Sequence, residues 1–333
     1  MALIGPSEMN ERVSSWLGMN LSAPIFFPSI SSVKTQLSPL AYFQLINSIF
    51  RGKQFLISAY DLVRADEGVR SQFLAERAKS RTDKTLVLMD SGNYESYWHA
   101  PEKRWTATEY HDALSWFKPD LAFGFDYQDP PEREDDHIDL LLKQLTADRD
   151  ASAGAFLIPI VHGEPAELPN LITQFATFGD LQAVAVPERC LGSSLFDRIS
   201  TVAKIRRNLN SLGRHISVHL LGTGNPLSMA LFSQAGADSF DGLEWCQTVV
   251  DYQSKQLHHF SHAALFLNQG RWAQAESSYE VKTLAHNLDF YGDWNEVIRQ
   301  AVADSSVEEL VVNSFPPYAH ASCLIHGVWK NGK

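Results

Sequence analysis

The chain has 333 residues, of which 44% are hydrophobic and 20% charged, so it has the composition of a globular protein of one large or two average domains. Its formal net charge is −11, which argues against a broad basic surface of the kind that dominates nucleic-acid affinity. A local basic groove, or a partner that supplies positive charge, stays compatible with this balance.

The cysteines and the apolar runs indicate in which cellular compartment the protein is expected. The three cysteines are scattered, with no C-x-x-C pair, which favours a reducing compartment, and we expect a cytoplasmic protein. The N-terminus lacks the charged and apolar regions of a signal peptide. No run reaches the roughly 18 apolar residues of a membrane span, so we expect no membrane association.

Eight short apolar runs alternate with stretches of helical spacing. Most runs are rich in Val, Ile, Leu or Phe, as strands buried on both faces are. The runs are 24–27, 54–60, 85–89, 121–125, 155–161, 182–186, 217–221 and 238–240. Examples of the helical stretches are 62–78, 107–117, 136–145 and 195–209. The alternation predicts a parallel sheet, and eight units favour a (β/α)8 TIM barrel, with an open doubly wound sheet as the alternative.

The pattern changes after Asp241. Residues 247–268 have helical spacing and contain a histidine cluster, and 279–303 predict a long helix or helix pair. Residues 313–333 predict a tail packed on the surface. We therefore expect a barrel catalytic domain at 1–245 and a helical C-terminal extension at 246–333, packed on the barrel.

Polar residues follow the predicted strands at their carboxyl ends, where barrel enzymes build their sites. They are Asp90, Ser91 and Gly92 after the third strand, Asp126 after the fourth, His162, Gly163 and Glu164 after the fifth, Glu188 and Arg189 after the sixth, Gly222, Thr223 and Gly224 after the seventh, and Asp241 at the end of the eighth. A single acid after a strand often only caps the next helix. Several on one face indicate an active site.

These segments resemble the tRNA-guanine transglycosylase (queuine tRNA-ribosyltransferase) family. The stretch L-L-G-T-G-N-P, followed by G-A-D-S-F-D, resembles the family's L-M-G-x-G-x-P and G-x-D-x-F-D. D-S-G-N-Y resembles D-S-G-G-F/Y, F-D-Y-Q-D-P-P resembles F-D-E-C-x-P-x-P, and I-V-H-G-E resembles V-Q-G-G. A-V-A-V-P-E-R-C-L-G resembles the loop that lines the base pocket, and L-A-H-N-L-D-F-Y resembles T-E-H-N-I-x-F-Y.

The resemblance implies an exchange of guanine in a nucleic acid for a free 7-deazaguanine base. Asp241 would be the nucleophile that forms a covalent glycosyl-enzyme, and Asp90 the general acid/base. Asp126 would read the guanine edge, and the nucleotide must leave its stack to reach the pocket. Tyr94 and Tyr127 are candidates to stack on the base, with wall packing as the alternative. The further substrate-binding residues implied are Ser91, Gly92, His162 (in place of the family's Gln), Gly163, Glu188 and Gly222.

The chain departs from the family at the structural zinc site. Members that act on tRNA carry C-x-C-x-x-C and then a histidine. Here only His286 matches a ligand, since the cysteine triplet is absent and only Cys246 is near. The cluster of His258, His259 and His262 offers an alternative ligand set, but solvated or core histidines are the favoured interpretation. We expect no zinc and no other cofactor.

The zinc-bearing part of the family helps to grip tRNA, so its loss and the acidic charge favour DNA as the substrate. The chain is therefore most similar to the DpdA-type paralogues, which insert preQ0-type bases into DNA with the help of partner proteins. We expect a partner that supplies DNA binding or strand opening. The alternatives are a tRNA-guanine transglycosylase with a degenerate metal site, a non-catalytic scaffold subunit, and a salvage glycosidase acting on free nucleosides. Retention of both Asp90 and Asp241 speaks against the scaffold.

Overall fold

A computed structural model describes Leu17 and residues 22–99, 105–126, 131 and 133–329. Eight parallel strands form one sheet in the order β5-β4-β3-β2-β1-β8-β7-β6. The strands are β1 Ile25–Ile30, β2 Gln54–Ser58, β3 Leu86–Asp90, β4 Leu121–Phe123, β5 Phe156–Ile158, β6 Ala183–Pro187, β7 Ser217–Leu221 and β8 Ser239–Gly242. After β5, the Val161 amide donates to the Ala185 carbonyl of β6 (2.9 Å). The predicted (β/α)8 barrel is confirmed, and the open sheet is not observed.

The chain divides into two compact units, and the second contains Phe27–Ile160 and Ser278–Val281. It holds most of β1, all of β2 to β5 and, in the part that the structure describes, six helices. These are Pro39–Ile49, Ala59–Arg64, Glu67–Thr82, Asn93–His99, Ala107–Phe117 and Glu134–Ala151. The ring of Phe43 packs at 4.9 to 6.2 Å from those of Phe55, Phe73 and Phe117, which forms an aromatic core. The predicted helical stretch 62–78 is two helices, because the Asp66 side chain caps the second by accepting from the Val69 amide.

The first unit contains the described parts of Met1–Phe26, Val161–Ser277 and Lys282–Lys333. Its helices after β5 are Leu168–Phe178, Leu195–Asn210, Pro226–Ala235, Glu244–Gln247, most of Tyr279–Ala303, Val307–Ser314 and Pro317–Ile325. A fully buried ion pair joins Arg206 to Asp238 beside the start of β8. Arg206 also donates to the Gly236 and Ile216 carbonyls (3.0 and 2.9 Å), so its guanidinium fastens a helix to the amino ends of β7 and β8.

The C-terminal segment differs from its predicted structure in two places. Most of 247–268 is not α-helical: β9 Thr248–Val250 and β10 Leu257–His259 pair antiparallel, and the 3-10 helices Phe260–Leu265 and Leu267–Gln269 follow. The β-branched Thr-Val-Val run favours a strand, and the Asp251 side chain accepts from the Gln253 amide (2.9 Å) to form the turn. The predicted tail contains the helix Pro317–Ile325, which begins with a proline at its first position.

The long helix is confirmed as Tyr279–Ala303, and the C-terminal part is mainly helical, as expected. Among the described residues, no helix combines the length and the apolar character that crossing a bilayer requires.

Candidate functional site

Asp241 lies on β8, and its carboxylate is held by two groups of the first unit. Oδ1 is 3.1 Å from Nε2 of His219 and accepts from the Gly222 amide at 3.2 Å. Nδ1 of His219 is 2.8 Å from the Ser239 hydroxyl. A neutral ring that donates from Nε2 to the carboxylate accepts at Nδ1, which the Ser239 hydroxyl satisfies. The relay of Ser239, His219 and Asp241 therefore fixes the orientation of the carboxylate.

Sequence reasoning missed His219. It lies in the middle of a run of apolar residues, where a single histidine gives no functional signal. Its register partner in β8 is Ser239, two residues before Asp241. Because alternate residues of a strand share a face, Ser239 and Asp241 lie on the same side of β8. That periodicity is the one sequence signal that links the three residues.

The Gly222-Thr223-Gly224 turn binds the segment that carries Asp241. The Gly222 amide reaches the Asp241 carboxylate, as described, and the Thr223 amide donates to the Asp241 carbonyl (2.6 Å). The Gly224 amide donates to the Glu244 carboxyl. A Cβ at Gly224 would lie 2.2 Å from Oε2 of Glu244, and one at Gly242 would lie 2.3 Å from it. Both glycines are therefore needed for this carboxyl to pack where it does.

Glu244 is an acid that sequence reasoning did not select. Burial raises the pKa of Glu244 to about 7, and the negative charges of Asp241 and Glu188 act in the same direction. The amide hydrogen bonds of Glu244 and Gly224 partly oppose this rise. The first unit thus contains a carboxyl beside the Asp241 segment that can hold or release a proton near neutral pH.

Glu188 follows β6, as predicted, and has protein partners at both oxygens. Oε1 is 2.6 Å from Arg198, and Oε2 accepts from the Thr223 hydroxyl at 2.7 Å. Glu188 thus braces the Gly222-Thr223-Gly224 turn from the neighbouring strand end.

His162 and Gly163 follow Val161, as predicted, and adjoin a cysteine. His162 is buried, with Nδ1 4.0 Å from Sγ of Cys190. Burial alone would raise the pKa of the Cys190 thiol, but His162, the Gly163 amide and Arg189 lower it below its ordinary value.

In the second unit, β3 ends at Asp90, whose Oδ2 accepts from the Gly92 amide at 2.9 Å. The Ser91 hydroxyl and the Asn93 amide nitrogen donate to Oδ1 of Asp126, at 2.8 and 2.6 Å. The indole of Trp105 donates to the Ser91 carbonyl at 2.8 Å. The structure therefore brings Ser91 and Asp126 together and gives the Asp126 carboxylate a fixed orientation.

Gly92 has a steric role in this turn. Its φ is +90°, and a Cβ there would lie 2.7 Å from the Tyr60 amide nitrogen. Both the backbone conformation and the close approach require glycine. Tyr94 follows on the helix Asn93–His99 and is 40% exposed, while Tyr127 lies outside the described residues.

Two acids of the second unit, Glu95 and Asp61, form a pair beside the turn that follows Asp90. Sequence reasoning also missed this pair. The Glu95 carboxylate accepts from the hydroxyls of Ser31 (2.6 Å) and Ser58 (2.7 Å). Burial, and then the charge of Asp61, raise the pKa of Glu95 to about 7. Burial likewise raises the pKa of Asp61 to about 6, against the lowering effect of Ser32. A cavity of about 420 Å³ opens beside Asp61.

The residues around His286 do not fit a zinc ion. Nε2 of His286 lies 2.9 Å from the Val250 carbonyl, and the ring stacks on Tyr252 at 4.2 Å. Nδ1 is buried without a hydrogen-bond partner, and a Cβ at Gly270 would lie 3.2 Å from it. Burial lowers the pKa of His286. Across the part of the chain that the structure describes, no three His, Cys, Asp or Glu side chains are grouped so as to hold a metal.

The other candidate metal ligands have different contacts. His258 stacks on Phe266 at 4.6 Å, and Nδ1 of His259 is 2.7 Å from the Ser261 hydroxyl. The Cys246 thiol donates to the Leu243 carbonyl at 3.2 Å. Asn287, next to His286, accepts from the Val250 amide (3.1 Å) and thus pins β9 to the long helix. The His-Asn pair therefore has a structural role.

Comparison of the chain with protein-family models and with curated proteins found no match.

Proposed function

We propose that the chain is a transglycosylase that exchanges guanine in a nucleic acid, most favourably DNA, for a 7-deazaguanine base of the preQ0 type. The observation that carries this proposal is the arrangement of Asp241, a carboxylate at a strand end fixed by His219 and the Gly222 amide. A nucleophile that must reach one sugar carbon benefits from such fixed geometry. The order of the motifs around it, which resembles the transglycosylase family, supplies the reaction.

The chemistry is a double displacement at C1′. A carboxylate oxygen of Asp241 attacks C1′, the C1′–N9 bond breaks, and guanine leaves with the bonding electrons and takes a proton from Asp90. Asp90 then removes a proton from the incoming base, whose nitrogen attacks C1′ and releases Asp241. Neither step consumes water or a nucleotide cofactor, and the chain backbone of the nucleic acid stays intact.

Base recognition is assigned to Asp126. Its carboxylate accepts from N1–H and the exocyclic amine of a guanine-type base, and adenine offers no such donor pair. Ser91 and Asn93 hold Asp126 in one orientation, which suits a site that pairs with a planar edge. His162 stands where the related motif carries a base-reading Gln, and Gly163, Tyr94 and Gly222 are proposed as further base-binding residues.

The preference for DNA over tRNA is supported by two observations. The described residues around His286 do not form a zinc site, so the feature by which related enzymes grip tRNA has no counterpart there. The net charge of −11 also favours a separate partner that holds the polyanion and opens the duplex. With its scattered cysteines, the chain is proposed to act in the cytoplasm.

The decisive experiment is mass spectrometry of nucleosides from DNA and from tRNA of the same cultures. Cells carrying the wild-type gene should contain a 7-deazaguanine in DNA that disappears with Asp241→Asn or Asp90→Asn. Asp180→Asn is the matched control, because its side chain is 94% exposed. A base that depends on this gene only in tRNA would establish the tRNA alternative instead.

A second measurement separates the enzyme from a non-catalytic scaffold. Incubating the purified chain with a single-stranded oligonucleotide avoids the need for strand opening. Intact-mass spectrometry should then detect a covalent protein–oligonucleotide adduct, which Asp241→Asn abolishes. An adduct that persists in Asp241→Asn would eliminate the proposed nucleophile.

A further inference from the structure

Cys190 is a thiol that the proposed mechanism does not use. It lies in the 3-10 helix Glu188–Leu191, at the carboxyl end of β6, and is partly exposed. The other two cysteines, Cys246 and Cys323, are buried. Sγ of Cys190 is 4.0 Å from Nδ1 of His162, within the range of a sulfur hydrogen bond. A thiol with an adjacent imidazole is the usual arrangement of an activated cysteine nucleophile.

The groups around Cys190 favour negative charge on sulfur. The Gly163 amide donates to it, and Arg189 precedes it in the chain. Two acids of the neighbouring chain segments have partners of their own: Glu188 binds Arg198, and Asp197 accepts from the Ser194 hydroxyl. Together with His162, these donors outweigh the burial of the thiol, so its pKa is lowered. Reactive cysteines are found in electropositive, partly exposed surroundings of this kind.

We propose that Cys190 and His162 form a thiolate–imidazolium pair, and that Cys190 is a covalent modification site for small soft electrophiles. With iodoacetamide, the sulfur lone pair forms an S–C bond while the C–I bond breaks and iodide leaves, and His162 keeps its proton. The inference concerns the reactivity of the folded chain alone. It stands or falls independently of the base-exchange proposal, because alkylation is measured without nucleic acid.

The test measures alkylation of all three cysteines in the native chain. The protein is treated briefly with iodoacetamide over a range of pH, unfolded, and labelled with a second reagent, and peptide mass spectrometry gives a rate for each cysteine. Cys190 should react at least about tenfold faster than Cys246 and Cys323, which are internal controls for burial. Its rate should rise with a midpoint below that of free glutathione, because exposure alone would give an ordinary thiol midpoint.

Two variants assign this reactivity to the pair. His162→Gln should move the midpoint up towards that of glutathione and slow alkylation at neutral pH by about tenfold, since the imidazolium is lost. His259→Gln, an exposed histidine on β10, should leave the midpoint where it is. Cys190→Ser should remove the fast phase altogether and confirm the site. A wild-type midpoint equal to that of glutathione would contradict the proposed thiolate–imidazolium pair. So would a midpoint that His162→Gln leaves unchanged, provided that the variant keeps its thermal stability.

Discussion

At the scale of single residues, His219 shows how one buried ring can set the direction of a carboxylate. It contacts Asp241 through Nε2 and Ser239 through Nδ1, and it is 1% exposed. We expect His219→Gln to lower kcat for the proposed base exchange by about 10- to 100-fold with little change in KM, because a misplaced Asp241 carboxylate reacts slowly while base binding is unaffected.

The measurement is single-turnover exchange over a range of pH. His320→Gln serves as the control, because that histidine pairs with Glu308 near the C-terminus. A His219→Gln enzyme that changes KM alone would mean that His219 contacts the base rather than positioning Asp241.

The raised pKa of Glu95 leads to a prediction about how the free energy of unfolding changes with pH. Its pKa is about 7 in the folded chain against an ordinary 4.5, so the folded state binds the extra proton between these values. Stability from this group is therefore full below about pH 4.5 and is lost as pH rises through about 7. Glu95→Gln should remove this loss and raise the free energy of unfolding at pH 8 by on the order of 1 to 3 kcal/mol.

Urea unfolding at several pH values tests this expectation. The hydroxyl groups of Ser31 and Ser58 can each donate to or accept from the side-chain amide of a glutamine. The Glu95→Gln variant therefore keeps these hydrogen bonds. Glu296→Gln, at a largely exposed surface position, is the control. A variant whose stability falls with pH as steeply as the wild type would show that Glu95 is ionised when buried.

Some candidate site residues could be predicted from the sequence and others could not, for a physical reason. Asp90, Asp126 and Asp241 could be selected because an acid at the carboxyl end of a parallel strand has a known place in a barrel. His219, Glu244 and Glu95 could not, because their surroundings come from residues distant in sequence. Glu95, for example, is defined by Ser31 and Ser58, which are 64 and 37 residues away.

At the scale of elements, the Gly222-Thr223-Gly224 turn should tolerate no side chain at its last position. We expect Gly224→Ala to lower the free energy of unfolding by about 1 to 3 kcal/mol, because its Cβ would overlap the Glu244 carboxyl. Glu244→Ala should relieve most of this overlap. The double variant should then lose less stability than the two single variants together, which chemical denaturation of all four proteins measures.

Gly213→Ala is a useful comparison at a glycine with nothing within 4 Å of the added Cβ. Its φ is +71°, so it reports backbone strain without a clash. If Gly224→Ala and Gly213→Ala cost the same, or if Glu244→Ala brings no relief, the steric account of this turn is wrong.

The C-terminal hairpin explains both a failed prediction and the metal question. The helical spacing of 247–268 was overridden by tertiary contacts, since Asn287 of the long helix binds both Val250 and the Thr248 carbonyl. The histidines then lie on β10 and in the 3-10 helix Phe260–Leu265, so His258 and His262 do not share an α-helix face. Local periodicity cannot report such long-range bonds.

From this geometry we expect that a strong chelator changes neither the melting temperature nor the proposed base exchange. Tyr252 packs on one side of the His286 ring and Gly270 on another. We therefore expect that no metal is bound there for a chelator to remove. Metal analysis of the purified chain should accompany the melting curves. One equivalent of zinc, lost together with stability in His286→Ala, would contradict the prediction.

At the scale of the whole molecule, the sheet was the most predictable feature. Strands buried on both faces give apolar runs that stand out in any sequence, and all eight were found. The predicted ends of the strands were less accurate. Within the predicted run 155–161, strand β5 ends at Ile158 because Pro159 lacks an amide donor. The run 121–125 stops at Phe123, because the Phe125 amide donates to the Asp148 side chain (2.8 Å) rather than to a strand.

The net charge of −11 leads to the last prediction, which concerns nucleic-acid binding by the isolated chain. With 39 acidic against 28 basic residues, few phosphates can be neutralised, so we expect weak binding with a Kd of about 10⁻⁴ to 10⁻⁶ M. Each contact to a single strand adds about 0.7 to the slope of log affinity against log salt, so the slope should stay below about 3. Fluorescence anisotropy with a single-stranded oligonucleotide measures both quantities.

Two arginines provide a matched pair for this titration. Arg189 is exposed after the carboxyl end of β6, whereas Arg51 is exposed before the amino end of β2. If the strand carboxyl ends receive the substrate, Arg189→Gln should reduce the slope by about 0.7 and Arg51→Gln should leave it unchanged. A slope near 10, as for a protein with a broad basic surface, would show that the chain grips nucleic acid without a partner. Equal effects of the two substitutions would mean that the oligonucleotide does not bind at the carboxyl ends of the β-strands.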